Sequence, residues 1–274
     1  MTLFTVLDDT HRHLDLRDRI STILRTVAPL VQETTALPLP PEVRFRLLTP
    51  SNWRKESLRD KERLLAQDVL DLGLAPEEGA AVSLQLKAAR VFLALVWPMV
   101  GGETHVAADG QSETIIAARA LHHIGLLAAE PCLYQLIAHE LTHHLQMAAH
   151  SATVWDTFFP DKRGITAGHR GISTFLEGHA RWTDRQVTAH LFGAQVDFAT
   201  QARRSWRCRL TSAIPGIRKA GPSSAAYETG ARLIAHAVGA HGIDLANRVW
   251  KDPDLLPTAE EAAAPETWCQ RIAG

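Results

Sequence analysis

Along the chain the apolar positions change period several times, and each change marks an element. A helical segment is predicted near residues 10–32, followed by the Pro-rich stretch Ala36-Leu37-Pro38-Leu39-Pro40-Pro41, which favours extended backbone. Val43-Arg44-Phe45-Arg46-Leu47-Leu48 then alternates like a half-exposed strand. Pro50 with Ser51 starts a helix reaching about residue 72, and Pro76, Glu77 and Glu78 open another that should stop near Pro98 and Gly101-Gly102. His105-Val106-Ala107-Ala108 and Glu113-Thr114-Ile115-Ile116-Ala117-Ala118 flank Asp109-Gly110 like a hairpin. Directly after it, Pro131 sits where a helix could begin, and Leu133, Leu136, Ile137, Ala138, Leu141 and Leu145 predict a buried helix over about 131–150. A helix from about 223 to 240, a second short helix and a Pro-rich tail complete the chain, with no internal repeat. This order predicts an α+β class, mainly helical, with a small twisted sheet over the helices. The expected division is an N-terminal helix and linker at 1–42 and one catalytic domain at 43–274, with lobes at 43–150 and 151–274.

The buried helix carries His139-Glu140-Leu141-Thr142-His143. Residues four apart lie one turn apart on the same face, so His139 and His143 can grip one metal ion. Glu140, about 100° round the helix, reaches a metal-bound water rather than the metal, which suits a general base. Catalytic zinc normally takes three protein ligands, so a third is needed. The pattern with a third His ten residues after the first is unmatched, because Gln146 stands where Gly is required and Ala149 where His is required. Asp161 is an option in a turn-like stretch. Glu177 is the better candidate: it is a carboxylate embedded in the apolar, helix-like segment Ile172–Arg181, costly there unless paired or metal-bound. Gly178 and Ala180 would let this segment approach the first helix closely. Asp184, two turns beyond Glu177, could accept the second N–H of a ligand His.

Several separated blocks carry a resemblance. They are His-Glu-Leu-Thr-His-His-Leu-Gln at 139–146, Leu-Glu-Gly-His-Ala at 176–180, the Arg203-Arg204 region, and Tyr-Glu-Thr-Gly-Ala at 227–231. The tail adds Asn247-Arg248-Val249-Trp250, Leu256-Pro257-Thr258, Pro265 and Trp268. Together they resemble the gluzincins, and more narrowly a zincin-like bacterial family of metalloproteases, some of whose members are associated with biosynthesis of a deazaflavin coenzyme. The resemblance covers roughly residues 131–274 and implies a zincin-like fold, Zn2+ and peptide hydrolysis. It also implies a role for Tyr227, whose block is similar to downstream gluzincin motifs in which a phenol points at the oxyanion. His236 and His241 are alternative donors.

The expected chemistry is therefore attack of activated water on a peptide or protein substrate, with Glu140 as base and Tyr227 assisting the oxyanion. If Glu113–Ala118 is an edge strand beside the metal, it could hold an extended peptide by strand addition. The insert Ser151–Gly171 is long for a helix connection and is expected to line a pocket wall. Two other classes share the ligand set. A non-haem iron oxygenase would use the same two-His-one-carboxylate triad, with Arg181 or Arg203 anchoring an oxo-acid, and a non-catalytic scaffold would keep zinc without turnover.

Charge adds exclusions rather than leads. A net charge of −1 gives no whole-chain drive toward nucleic acid or an anionic membrane, and Arg203, Arg204, Arg207 and Arg209 around Trp206 fit a solvated helix face. The longest apolar stretch, Val91–Val100, is well short of the roughly 20 residues that a spanning helix needs. Met1–Leu7 has no basic lead before Asp8-Asp9, so no secretory leader is expected. Three distant cysteines, Cys132, Cys208 and Cys269, fit reduced thiols in a cytoplasm.

Overall fold

The alternation of Val43, Phe45 and Leu47 with Arg44 and Arg46 sets the sheet. The computed structural model describes residues 2–149, 157–159, 162, 168–220 and 224–273. Its strands β1 (Leu3–Asp8), β2 (Glu42–Leu48), β3 (Glu103–Val106) and β4 (Ser112–Ala117) form one sheet in the order β1-β2-β4-β3. The first three neighbours run parallel, and β3 closes the sheet antiparallel to β4. On one face Val43, Phe45, Leu47 and Ile116 are fully buried. On the other, Arg46 pairs with Glu113 at 2.9 Å and Asp9 at 2.6 Å.

Helices cover both faces, with Leu48, Ile115 and Ala117 on the second face packed against Trp53. They are α1 (Leu14–Thr35), α2 (Pro50–Leu72), α3 (Pro76–Val96), α4 (Ala118–Ile124), α5 (Glu130–Ala149), α6 (Gly168–Phe192), α7 (Phe198–Gln201), α8 (Trp206–Ala213), α9 (Pro215–Ala220) and α10 (Ser224–His241). The tail adds α11 (Ile243–Asn247), α12 (Ala259–Ala263) and α13 (Pro265–Ala273). Ile20, Leu24, Val27 and Val31 of α1, Leu133, Ile137 and Leu141 of α5, Phe175 of α6 and Leu233 and Ile234 of α10 share one core with the sheet. The protein is thus α+β and mainly helical, with a small mixed sheet, as the order of predicted elements implied.

Three sequence expectations need correction. Leu3–Asp8 is a strand that the sequence did not disclose, because a nearly continuous apolar run carries no period-two signal. The strand expected at the edge, Glu113–Ala118, is β4, and it lies between β2 and β3. Ile115 and Ile116 are consecutive and both fully buried, which is what a strand covered on both faces requires. The edge on that side of the sheet is the shorter β3. Finally, α5 does not follow the hairpin directly, since α4 intervenes and ends at Gly125 in a left-handed conformation.

Residues Pro76–Met99, α3 and its final turn, have the length and apolar content of a membrane-crossing helix, although the uninterrupted apolar stretch within them starts only at Val91. Most of that surface is exposed, and Val82 and Leu86 pack on Leu65 and Val69 of α2.

The close approach foreseen for Gly178 is made to a different helix. A Cβ on Gly178 would lie 2.3 Å from the Cα of Gly230 on α10, so α6 and α10 touch backbone to backbone. That contact places Glu177 and Tyr227, each near its glycine, on the same side of the crossing.

Candidate active site

Helix α5 presents His139 and His143 on one face, and α6 runs antiparallel to it. Successive contacts are Gln135 with Asp184, His139 with Asp184 and Glu177, and Gln146 with Leu176 and His179. Nε2 of His139 lies 3.1 Å from Oε2 of Glu177 and 3.3 Å from Nε2 of His143, and the His143–Glu177 separation is 3.6 Å. Among the described residues these three form a group whose ligand atoms all lie within 4.8 Å of one another. A tetrahedral zinc site with bonds of about 2.0–2.1 Å has ligand-to-ligand edges of roughly 3.3–3.4 Å. The triangle therefore fits such an ion.

The tautomers fit it too. The Asp184 carboxylate can only accept, so the His139 Nδ1–H donates to it across 3.1 Å. Gln146 donates its amide to the Leu176 carbonyl at 3.0 Å, which turns its oxygen to accept from the Nδ1–H of His143 at 2.8 Å. Both Nε2 lone pairs are thereby left facing one point. Without an ion the same crowding acts on protons. Burial opposes a charged His139, but hydrogen bonds to Asp184 and Glu177 and their charges raise its pKa to about 10. Burial opposes an ionised Glu177 as well, and the nearby His143 and His139 hold it well below the usual carboxylate range.

Glu140 is buried on the sheet side of the pair. Its Oε2 accepts from the Thr104 hydroxyl at 2.7 Å, and its carboxyl group rests against Gly102, where a Cβ would stand 2.8 Å from Cδ. Tyr227 stacks on His139 with ring centroids 6.0 Å apart, and its hydroxyl bonds to Glu177. Burial and then the Glu177 charge push the phenol above its ordinary pKa, so it is a proton donor at neutral pH. All five residues, His139, Glu140, His143, Glu177 and Tyr227, open onto a cleft of about 500 Å³ whose opposite wall is β3.

Strand β3 offers that cleft an unpaired edge. The Ala107 N–H donates to the Gln111 carbonyl at 2.8 Å, so by alternation Thr104 and Val106 turn their backbone groups away from β4. The Val106 carbonyl is taken by the Arg63 guanidinium. Among the described residues the Thr104 N–H and C=O have no backbone partner, which leaves them for another strand.

The sequence missed Gln146 and Thr104. Gln146 stands three residues after His143 on a buried face, and that spacing was the one available signal. Thr104 had none, since only the hairpin register brings it to Glu140. Of the other histidines, His144 and His179 are fully buried off the ligand face, and burial lowers the pKa of each to about 3. His236 approaches Glu266 at 3.8 Å and His241 is exposed at the end of α10; neither lines the cleft. Of the insert, Thr157 and Phe158 line the cleft, while the ligand option Asp161 lies outside the described residues.

Residues 135–269 match the model of the zincin-like metallopeptidases. Over this stretch, just under half of its length, the chain is similar to that family. The match begins four residues before the first zincin histidine and spans α6 and α10, so it includes every ligand candidate but neither β3 nor Thr104. Among solved structures, a candidate hydrolase of novel fold from Chloroflexus aurantiacus is similar over 96% of this chain and 91% of its own, with a TM-score of 0.57 and 15% identity. At that identity the likeness concerns the fold. The search of curated proteins gives no match. The likeness to zincin-like metallopeptidases supports a metallohydrolase and implies a bound metal.

Proposed function

We propose that the protein is a zinc-dependent peptidase that cleaves peptide bonds with Glu140 as general base. The observation that carries this is the convergence of His139, His143 and Glu177 on one point, next to a buried carboxylate and a free strand edge. A bound zinc would acidify a water and polarise a carbonyl. An extended peptide lies antiparallel or parallel along β3, pairing with the backbone of Thr104 independently of its side chains. Glu140 takes the proton of the attacking water and later returns it to the leaving amine. Tyr227, held protonated, turns its hydroxyl from Glu177 to the developing oxyanion, a donation that can be worth about 10² in rate. Asp184 and Gln146 keep both imidazoles in the ligating tautomer.

The iron-oxygenase alternative is less well served, because Arg181 is engaged by Asp197 at 2.9 Å and by Asp184 and Glu228, and Arg203 does not line the cleft. The described cysteines are free and buried, which fits a reducing cytoplasm. In a peptide-library digest, Glu140→Gln should keep about one equivalent of zinc and lose turnover by two or more orders of magnitude, with Tyr227→Phe losing about tenfold or more. Undiminished turnover by Glu140→Gln would refute the base, and a metal-loaded wild type that cleaves nothing would favour the silent scaffold.

A further inference from the structure

Behind Glu140 lies an unbroken row of side-chain hydrogen bonds that leads away from the cleft into the sheet. Thr104 Oγ1 donates to Glu140 Oε2 at 2.7 Å, Thr104 and Thr114 hydroxyls are 2.7 Å apart, and Thr114 Oγ1 lies 2.9 Å from His144 Nε2. Ser112 Oγ then lies 2.6 Å from His144 Nδ1. Thr104 and Thr114 face each other across the β3–β4 pair, in the wide register where side chains come closest. His144 is fully buried, stacked on Phe45 at 5.5 Å, and among the described residues no carboxylate bonds to it, so its ring is neutral.

The direction of every bond in this row follows from one end. A carboxylate has no proton to give, so Thr104 must donate to Glu140 and can only accept from Thr114. Thr114, having donated, accepts from His144, which therefore carries its proton on Nε2. Nδ1 is left to accept from Ser112. Each hydroxyl has a single proton, so no member can reverse alone. All four donations point toward the general base.

We propose that Thr104, Thr114, His144 and Ser112 form a one-way positioning chain that fixes Oε2 of Glu140 and leaves its other oxygen to work on the attacking water. These are positioning residues, since only Thr104 touches the base and none touches the metal group. The functional half of the proposal rests on Glu140 being the base, and the structural half does not.

The chain makes a prediction that simple packing does not. If Thr104 loses its hydroxyl, the Thr114 proton has no acceptor on that side and turns to His144 Nε2. The imidazole proton must then move to Nδ1 and donate to Ser112, two side chains away from the substitution. Nitrogen-15 histidine NMR on the full-length protein at neutral pH reads this directly, with no dependence on activity. His144 is expected as the Nε2–H tautomer in the wild type and as Nδ1–H in Thr104→Val, with Thr104→Ser restoring the wild-type form. An Nδ1–H wild type, or a Thr104→Val variant with unchanged tautomer, overturns the chain. In zinc-loaded protein on a fluorogenic peptide pool, Thr104→Val should lower kcat by about 10-fold or more, with KM and zinc content within twofold and Thr104→Ser largely restored. If Glu140→Gln is inactive while Thr104→Val keeps wild-type kcat, the positioning role fails. If Glu140→Gln turns over normally, the peptidase mechanism fails instead, and the tautomer switch still decides whether the chain exists.

Discussion

Replacing Gly102 with alanine separates the function of Glu140 from its contribution to stability. A Cβ there would stand 2.8 Å from both Cδ and Oε1 of Glu140 and 3.1 Å from Cγ, where ordinary contacts begin at 3.4 Å. The carboxyl group must therefore retreat by roughly 0.6 Å, and it is the end of a flexible side chain, so it rotates rather than moving α5. The 2.7 Å bond from Thr104 is re-aimed or lost. Losing a hydrogen bond to a charged acceptor costs about 1.5–3 kcal/mol, while Gly→Ala recovers about 0.4–1 kcal/mol through the unfolded chain. The net destabilisation is about 1–2 kcal/mol, a Tm change of only a few degrees for a chain of this size. Catalysis is far more sensitive, because a 1 Å misplacement of a reacting group can cost about 10²-fold. Steady-state hydrolysis and zinc analysis on the same preparation should give kcat lower by about 10–100-fold with metal content unchanged. Turnover within twofold of wild type, or zinc lost in step with activity, would refute this account of Glu140.

Gly230→Ala should behave in the opposite way. Its Cβ meets backbone on the facing helix, 2.0 Å from the Thr174 carbonyl oxygen and 2.7 Å from the Gly178 Cα, so α6 and α10 must part. A loss of about 3 kcal/mol or more is expected, lowering Tm by roughly 6–12 °C, and calorimetry showing wild-type stability would contradict the helix contact. The metal-free protein should also show a marked pH dependence. His139, raised from 6.5 to about 10, contributes stability that is complete below pH 6.5 and fades as pH rises through 10. Glu177, lowered, contributes stability above pH 4.5 that is lost in acid. Chelated protein should therefore lose Tm steadily between pH 7 and 10, and zinc-loaded protein should not. Parallel curves for the two forms would remove His139 from the metal group.

Much of the helical frame was legible from periodicity and punctuation. Proline and glycine mark α2 and α3 within a few residues, and the hairpin turn at Asp109-Gly110 is where β3 meets β4. The spacing of His139 and His143 fixes their common face through local geometry alone, and Glu177 stood out as a charge among packing residues. What remained hidden depends on pairing between distant segments. The order β1-β2-β4-β3 is set by which strands share a register, so the edge facing the cleft was assigned to the wrong strand. Thr104 is an unremarkable polar residue until β3 lays it beside Thr114 and Glu140. Gly178 was correctly marked for a close approach, but which helix it meets depends on Gly230, 52 positions further along.

The central claim is that His139, His143 and Glu177 hold one metal ion beside Glu140. Anomalous diffraction at the zinc edge from crystals of the wild-type protein tests it most directly. A single peak within about 2.0–2.2 Å of the Nε2 atoms of His139 and His143 and a carboxylate oxygen of Glu177 is the expected result. A fully occupied peak elsewhere, or one that leaves Glu177 uncoordinated, would contradict the account.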